Sequence, residues 1–210
     1  MPALIEDNAI VLFQGDSITD AGRSREDDAD LGRGYAAMTA AWFSALHPEK
    51  QVCFTNRGIG GNTIKDLQAR WQEDCLQLEP TWVSMLVGIN DAAGRYTSNR
   101  LITLEDFENT YRELLTQVRD TLHARLILME PFVLPTDDDR IQWREDLDPK
   151  IEAVRRLAGE FEAILISLDD IFVQASARRE LTFWSADGVH PTPAGHALVT
   201  RAWLEAVKAL

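Results

Sequence analysis

The amino-acid sequence predicts an α/β fold, a three-layer α/β/α sandwich around a five-stranded parallel sheet. Three observations carry this expectation. Five short β-type runs are legible, at residues 10–14, 51–55, 82–87, 125–129 and 163–167. Helix-patterned stretches lie between them, and strict alternation of strand and helix selects parallel strands joined by right-handed crossovers, with helices on both faces. The third and fourth runs are nearly continuous in apolar character, as befits strands covered on both sides.

The helices have their own signals. Residues 34–46 are Ala-rich and aromatic. Thr63, with Asp66 three positions on, opens the next helix in the manner of a capping box, and Ile64, Leu67, Trp71 and Cys75 form its apolar face. Thr103 and Asp106 repeat the signal ahead of Phe107, Tyr111, Leu114, Val118 and Leu122. A fourth helix is predicted over about 146–160. The last starts at Thr192 with Pro193 in its first turn, and sets Val199, Trp203, Val207 and Leu210 on one stripe.

No Pro/Gly/Ser-rich or strongly charged linker divides the 210 residues, which are predicted to form one domain, 1–210. With 45% hydrophobic residues the chain can bury a sizeable core. No apolar run approaches the ~20 residues of a membrane span, and the N-terminus lacks a basic stretch followed by an apolar one, so a cytoplasmic location is expected. Cys53 and Cys75 sit among apolar neighbours and read as buried free thiols, with no disulfide and no metal site. A net charge of -13 disfavours nucleic acid and anionic membranes as partners and favours a small neutral substrate. The acidic runs Glu26-Asp27-Asp28 and Asp137-Asp138-Asp139 lack metal-ligand spacing and are expected to be solvated loops.

In open α/β sheets, ligands bind outside the carboxyl ends of the strands. Four polar clusters fall there: Gly15-Asp16-Ser17-Ile18-Thr19 after the first strand, Asn56 through Thr63 after the second, Gly88-Ile89-Asn90-Asp91 after the third, and Asp187-Gly188-Val189-His190-Pro191 before the last helix. Each alone has an ordinary structural explanation: a turn, a cap, or a histidine satisfied by a neighbouring carboxylate. Together they describe one site. A serine hydroxyl becomes a nucleophile when a histidine, held in one tautomer by a carboxylate, takes its proton. Ser17, His190 and Asp187 supply those three groups. Attack on an ester places charge on the carbonyl oxygen, which the Ser17 N–H, a glycine N–H and the Asn90 amide can receive.

In these four blocks the chain resembles the SGNH (GDSL-type) hydrolase superfamily, from about residue 10 to the end. The resemblance implies a flavodoxin-like sheet, Ser17 as nucleophile, His190 as base, Asp187 as its partner, and Ser17, Gly61 and Asn90 as oxyanion donors. Gly60 beside Gly61 leaves a one-residue slip open, and Asn62 stands where Asp is common. No cofactor is implied, and a homo-oligomer is compatible. The stretches 15–23 and 66–71, together with Trp184 and 187–191, are similar to small intracellular acetylxylan esterases, which implies acetyl esters, with acetylated xylo-oligosaccharides as the expected substrate. Trp184 is a candidate stacking face for a sugar, with core packing as its alternative, and Tyr96 and Trp143, in or near loops after strands three and four, are weaker ones. The alternatives are a lysophospholipase or thioesterase and, from another class, a non-catalytic carbohydrate- or acyl-binding module. The full nucleophile, base and orienter set speaks against the module.

Overall fold

A computed structural model describes residues 2–98 and 100–210. Its sheet holds five parallel strands in the order β2-β1-β3-β4-β5. The strands are β1 (Ile10–Gly15), β2 (Cys53–Asn56), β3 (Trp82–Leu86), β4 (Arg125–Met129) and β5 (Ile164–Ile166). Side chains alternate across β1, so that Val11 and Phe13 join one apolar layer while Leu12 joins the other. The first layer packs against α1 (Ser17–Asp20), α2 (Tyr35–Leu46), α4 (Ile89–Thr97) and the C-terminal helices. The second packs against α3 (Ile64–Asp74) and α5 (Leu104–Gln117). The long α6 (Asp138–Glu160) contributes to both. After β5 come α7 (Leu168–Ser176), α8 (Leu181–Trp184) and α9 (Pro193–Ala206).

The predicted caps form. Thr63 and Asp66 exchange both capping-box bonds at the start of α3, Thr103 accepts from the Asp106 N–H, and Thr192 accepts from the Gly195 N–H with Pro193 in the first turn.

Several expectations need correction. The fourth helix begins at Asp138, eight residues before the predicted start, because Asp137 caps it through the Arg140 N–H and Asp138 and Asp139 fill its first turn. That acidic run is therefore the positive-dipole end of a helix rather than a solvated loop. In the other run, Asp28 is exposed but pairs with Arg57 at 2.8 Å. Cys53 is exposed at the start of edge strand β2, while Cys75 is buried. Leu210, past the end of α9, is exposed, whereas Val199, Trp203 and Val207 are buried. No helix among the described residues is long and apolar enough to cross a membrane.

The order 2-1-3 makes β1 and β3 neighbours and reverses the direction of winding there, which opens a crevice at their carboxyl ends. Gly15 ends β1 in that crevice. A Cβ on it would lie 2.2 Å from the Leu86 carbonyl oxygen and 2.4 Å from Thr19 Oγ1, so the chain can turn into α1 beside β3 only with glycine. Gly15→Ala should destabilise the protein by about 1–3 kcal/mol, which for a chain of this size lowers Tm by roughly 3–10 °C. A melt matching the unsubstituted protein would show that β1 and β3 can part at no cost.

Candidate active site

Ser17 is the first residue of α1, and the Asp16 carboxylate caps the helix by accepting from the Ile18 N–H at 3.0 Å. Asp16 is buried, so the strand-to-helix turn presents Ser17 from a fixed base. Ser17 Oγ lies 2.9 Å from His190 Nε2, and His190 Nδ1 lies 2.6 Å from Asp187 Oδ2. An ionised carboxylate only accepts, so Nδ1 carries the proton, Nε2 is left with its lone pair, and the Ser17 hydroxyl donates to it.

The loop that delivers Asp187 and His190 is closed on itself. Asp187 Oδ1 accepts from the Val189 and His190 N–H groups at 2.9 and 2.7 Å. Ser185 Oγ donates to the His190 carbonyl at 2.9 Å, and Ser185 bridges Pro191 across the base of the loop. From α6, Arg140 Nε donates to the Asp187 carbonyl at 2.9 Å. These bonds act on Asp187 against its partial burial: desolvation pushes its pKa up, but the His190 bond and two backbone donors outweigh it and hold the carboxyl down at about 2. Asp187 is therefore ionised near neutral pH.

The second block forms a loop over Ser17. A Cβ on Gly60 would approach Ser17 Cβ to 3.8 Å, which sets the Gly60-Gly61 backbone beside the hydroxyl. The Gly60 N–H is committed, donating to Asp20 Oδ2 at 2.9 Å. Among the described residues the Gly61 and Ser17 N–H groups have no protein acceptor. Gly61 has φ of +79° with open space where a side chain would start, a conformation that turns its amide without steric help from neighbours. Asn90, in the first turn of α4, donates from Nδ2 to the Asn62 carbonyl at 3.0 Å, which leaves its second amide hydrogen free.

The structure therefore brings Ser17, Gly61, Asn90, Asp187 and His190 to one sheet edge. It places the three aromatic candidates differently. Trp184 ends α8, donates its indole N–H to the Ala175 carbonyl at 3.1 Å, and lines a cavity of 380 Å³ with Ile171, Gln174, Arg178 and Arg201. Its carbonyl accepts from the Thr192 N–H at 2.8 Å, so its backbone also supports the catalytic loop. Tyr96 is in the last turn of α4, half-buried against the first apolar layer, and Trp143 is buried in α6 under Arg140; neither sits in a loop. Sequence reasoning missed Arg140 and Asp20, whose backbone partners Asp187 and Gly60 lie 47 and 40 residues away and leave no local pattern, and Ser185, which bonds the His190 carbonyl within the loop itself.

This arrangement has known counterparts. Residues 13–198 match the model of the GDSL-like lipase/acylhydrolase family. The chain belongs to that family. The acetylxylan esterase of Geobacillus stearothermophilus is 33% identical over 205 residues, covering 94% of this chain and 93% of the relative. Its solved structure superposes with a TM-score of 0.88 at 32% identity, covering 97% and 95% of the two chains. Catalytic mutants of that enzyme, one at a serine and one at an aspartate, score 0.87 and 0.89. A candidate GDSL-like lipase of Parabacteroides merdae scores 0.94 at 33% identity, with both chains covered in full. The present GDSL-like acylhydrolase is thus a carboxylic ester hydrolase with the sheet of that family.

Two further carboxyls of the acylhydrolase lie buried behind the site. Burial pushes Asp16 up to about 7 against its bond from Ile18, with the charge of Asp91 adding to the rise and that of His190 opposing it. Burial likewise pushes Asp91 up to about 7, against two bonds from the Ile64 N–H and the charge of Lys150, while Asp66 adds to the rise. An acid whose folded pKa exceeds its unfolded value favours folding most at low pH, and this contribution is lost as pH climbs from about 4 through about 7. Asp91→Asn keeps an acceptor for Ile64 and cannot ionise. Its Tm should therefore fall less between pH 5 and pH 8 than that of the unsubstituted protein, as measured by scanning calorimetry. Parallel curves would mean that Asp91 is ionised throughout.

Proposed function

We propose that this esterase removes acetyl groups from xylo-oligosaccharides through a Ser17-His190-Asp187 triad. The observation that carries the mechanism is the continuous relay from Ser17 Oγ through His190 to Asp187, at 2.9 and 2.6 Å. Ser17 Oγ attacks the acetyl carbonyl as His190 Nε2 takes its proton, and Asp187 stabilises the imidazolium. The negative charge on the carbonyl oxygen falls to the Ser17 N–H, the Gly61 N–H and the free hydrogen of Asn90, each worth roughly a hundred- to a thousand-fold in rate. Gly61 is favoured over Gly60 as donor because the Gly60 N–H is already bonded to Asp20. As the bond from the acetyl carbon to the sugar oxygen breaks, His190 returns the proton to that oxygen, which leaves as a hydroxyl. Water, activated by the same histidine, attacks the acetyl-serine and releases acetate.

The acetyl preference is supported by an open, shallow setting. The His190 and Asp187 side chains remain 55% and 46% exposed. The five described surface cavities, of 280 to 460 Å³, are lined by none of Ser17, Asn90 or His190. None of these five cavities offers a long acyl chain an apolar tunnel at the triad. The sugar assignment is supported by the acetylxylan esterase relative and by the net charge of -13, which suits a neutral oligosaccharide. Two free cysteines suit a reducing, cytoplasmic setting.

Two measurements test this. Ser17→Ala should lower kcat on p-nitrophenyl acetate by about 10⁴-fold or more, with Tm within a degree or two; an active variant would remove the nucleophile. Acetyl esters should exceed butyryl esters by about tenfold in kcat/KM, since each added methylene is worth about 1–3 kcal/mol where space is short, and acetate should be released from acetylated xylo-oligosaccharides. Equal rates on octanoyl esters, or a rise in rate above the micelle concentration, would select the lysophospholipase alternative.

A further inference from the structure

We propose that Arg70 is a positioning residue for catalysis, holding the oxyanion loop against the nucleophile strand; this inference rests on the serine-esterase reading above. Arg70 lies on α3, in the segment 66–71 that the catalytic assignment leaves without a role. Its guanidinium reaches three partners. Nε donates to Asn62 Oδ1 at 2.9 Å, Nη1 to Asp74 Oδ2 at 2.9 Å, and Nη2 makes a longer contact of 3.4 Å to the Gly15 carbonyl. The Gly15 contact touches the backbone two residues before the nucleophile. The Asn62 contact grips the residue after the donor glycine, and the carbonyl of that same Asn62 receives the Asn90 amide at 3.0 Å.

The need for such a clamp follows from the loop itself. Gly61 meets no neighbouring atom within 4 Å of where a side chain would begin, so that side of the loop is open. On its N-terminal side the loop is held by Asp20 at Gly60. On its C-terminal side Asn62 is held by the turn bond from its N–H to the Ile59 carbonyl, by the Asn90 amide on its carbonyl and by Arg70 on its side chain. The arginine is itself restrained: its side chain is 14% exposed and bonded to Asp74 one helical turn on. A planar fork with fixed donor directions suits three acceptors in different directions, where a lysine ammonium offers one charge on a flexible stem. Donors that must meet an oxyanion gain their effect from being oriented before the charge appears. Arg70 therefore acts on kcat through Asn62, Gly61 and Asn90, without touching the substrate.

The test is a double-mutant cycle on p-nitrophenyl acetate, with Tm recorded for each protein. Arg70→Met and Asn62→Ala should each lower kcat by about tenfold or more with KM changed by less than about threefold. Arg70→Lys should recover only part of the loss. Asn62→Ala leaves the Arg70–Asp74 pair in place, so it carries the test if Arg70→Met does not fold. In an Asn90→Ala background the effect of either substitution should shrink to less than about threefold, because the loop then has fewer donors to hold in place. Losses that multiply in full with Asn90→Ala, or unaltered kcat in Asn62→Ala, overturn the role of Arg70. An undiminished rate in Asn90→Ala itself, or an active Ser17→Ala, overturns instead the esterase site on which the role depends.

Discussion

The hydrogen bond between Ser17 and His190 joins positions 173 residues apart, and the groups that hold it at 2.9 Å are mostly not those that react. Ser17 is fixed from one side by β1 and the Asp16 cap. Its turn fits only because Gly15 lets β1 run against the Leu86 carbonyl of β3. His190 is fixed from the other side by a short loop pinned at its base by Ser185 and Pro191 and at its flank by Arg140. Helix α9 then ties that loop to the sheet, because Trp203 is fully buried and donates its indole N–H to Ser84 of β3 at 3.0 Å. Strand β3 is thus the common reference for both halves of the relay, since it neighbours β1 directly and anchors α9. A shift in β3 would reach nucleophile and base together.

The strands were legible because β-type runs covered on both faces are short, apolar and bounded by turns, and the site because its chemistry concentrates unusual residues at strand ends. What stayed hidden has physical reasons of its own. Pro149 near the start of the predicted fourth helix fits a first turn, where its missing N–H is harmless. In the structure it sits inside α6, and the real start is set by Asp137 and two more acids, a pattern that composition alone reads as solvent-facing charge. The misplaced start mattered, because the overlooked turn carries Arg140 to the Asp187 carbonyl. Helices α4 and α7 follow their strands almost at once, so the eye takes Ile89-Asn90-Asp91 as a loop when it is the first turn of a helix. Trp184 shows the limit of nearness in sequence: three residues from Asp187, its indole turns toward Ala175 and a separate cavity.

Electrostatics around the site divide the carboxyls by role. Asp187 is half exposed and strongly bonded, so its charge is secure and available to the imidazolium. Asp16 is wholly buried next to the nucleophile, and one of its oxygens has no partner among the described residues. A full charge at that depth, one residue before Ser17, would oppose an anion formed beside the Ser17 N–H. The same burial that raises its pKa weakens that opposition by favouring the neutral carboxyl. Environment alone separates two aspartates that composition cannot tell apart.

An exposed triad also shifts the burden of selectivity. Where a deep tunnel sorts substrates by length, discrimination comes from the walls; here the Gly60 backbone lies beside Ser17. On the function proposed above, that loop supplies the Gly61 donor as well as bounding the space beside Ser17. Its position would then answer to two demands at once: meeting the oxyanion, and limiting the room beside Ser17 for the acyl chain. Asp20 bonds Gly60 and Arg70 bonds Asn62 from behind the loop, alongside the Ile59 N–H bond to the Gly15 carbonyl and the close packing of Gly58 on Thr19 and Asp20. Rate and acyl-length preference are then two consequences of one backbone position, and a change that loosens the loop should relax the preference for acetyl as it slows the reaction.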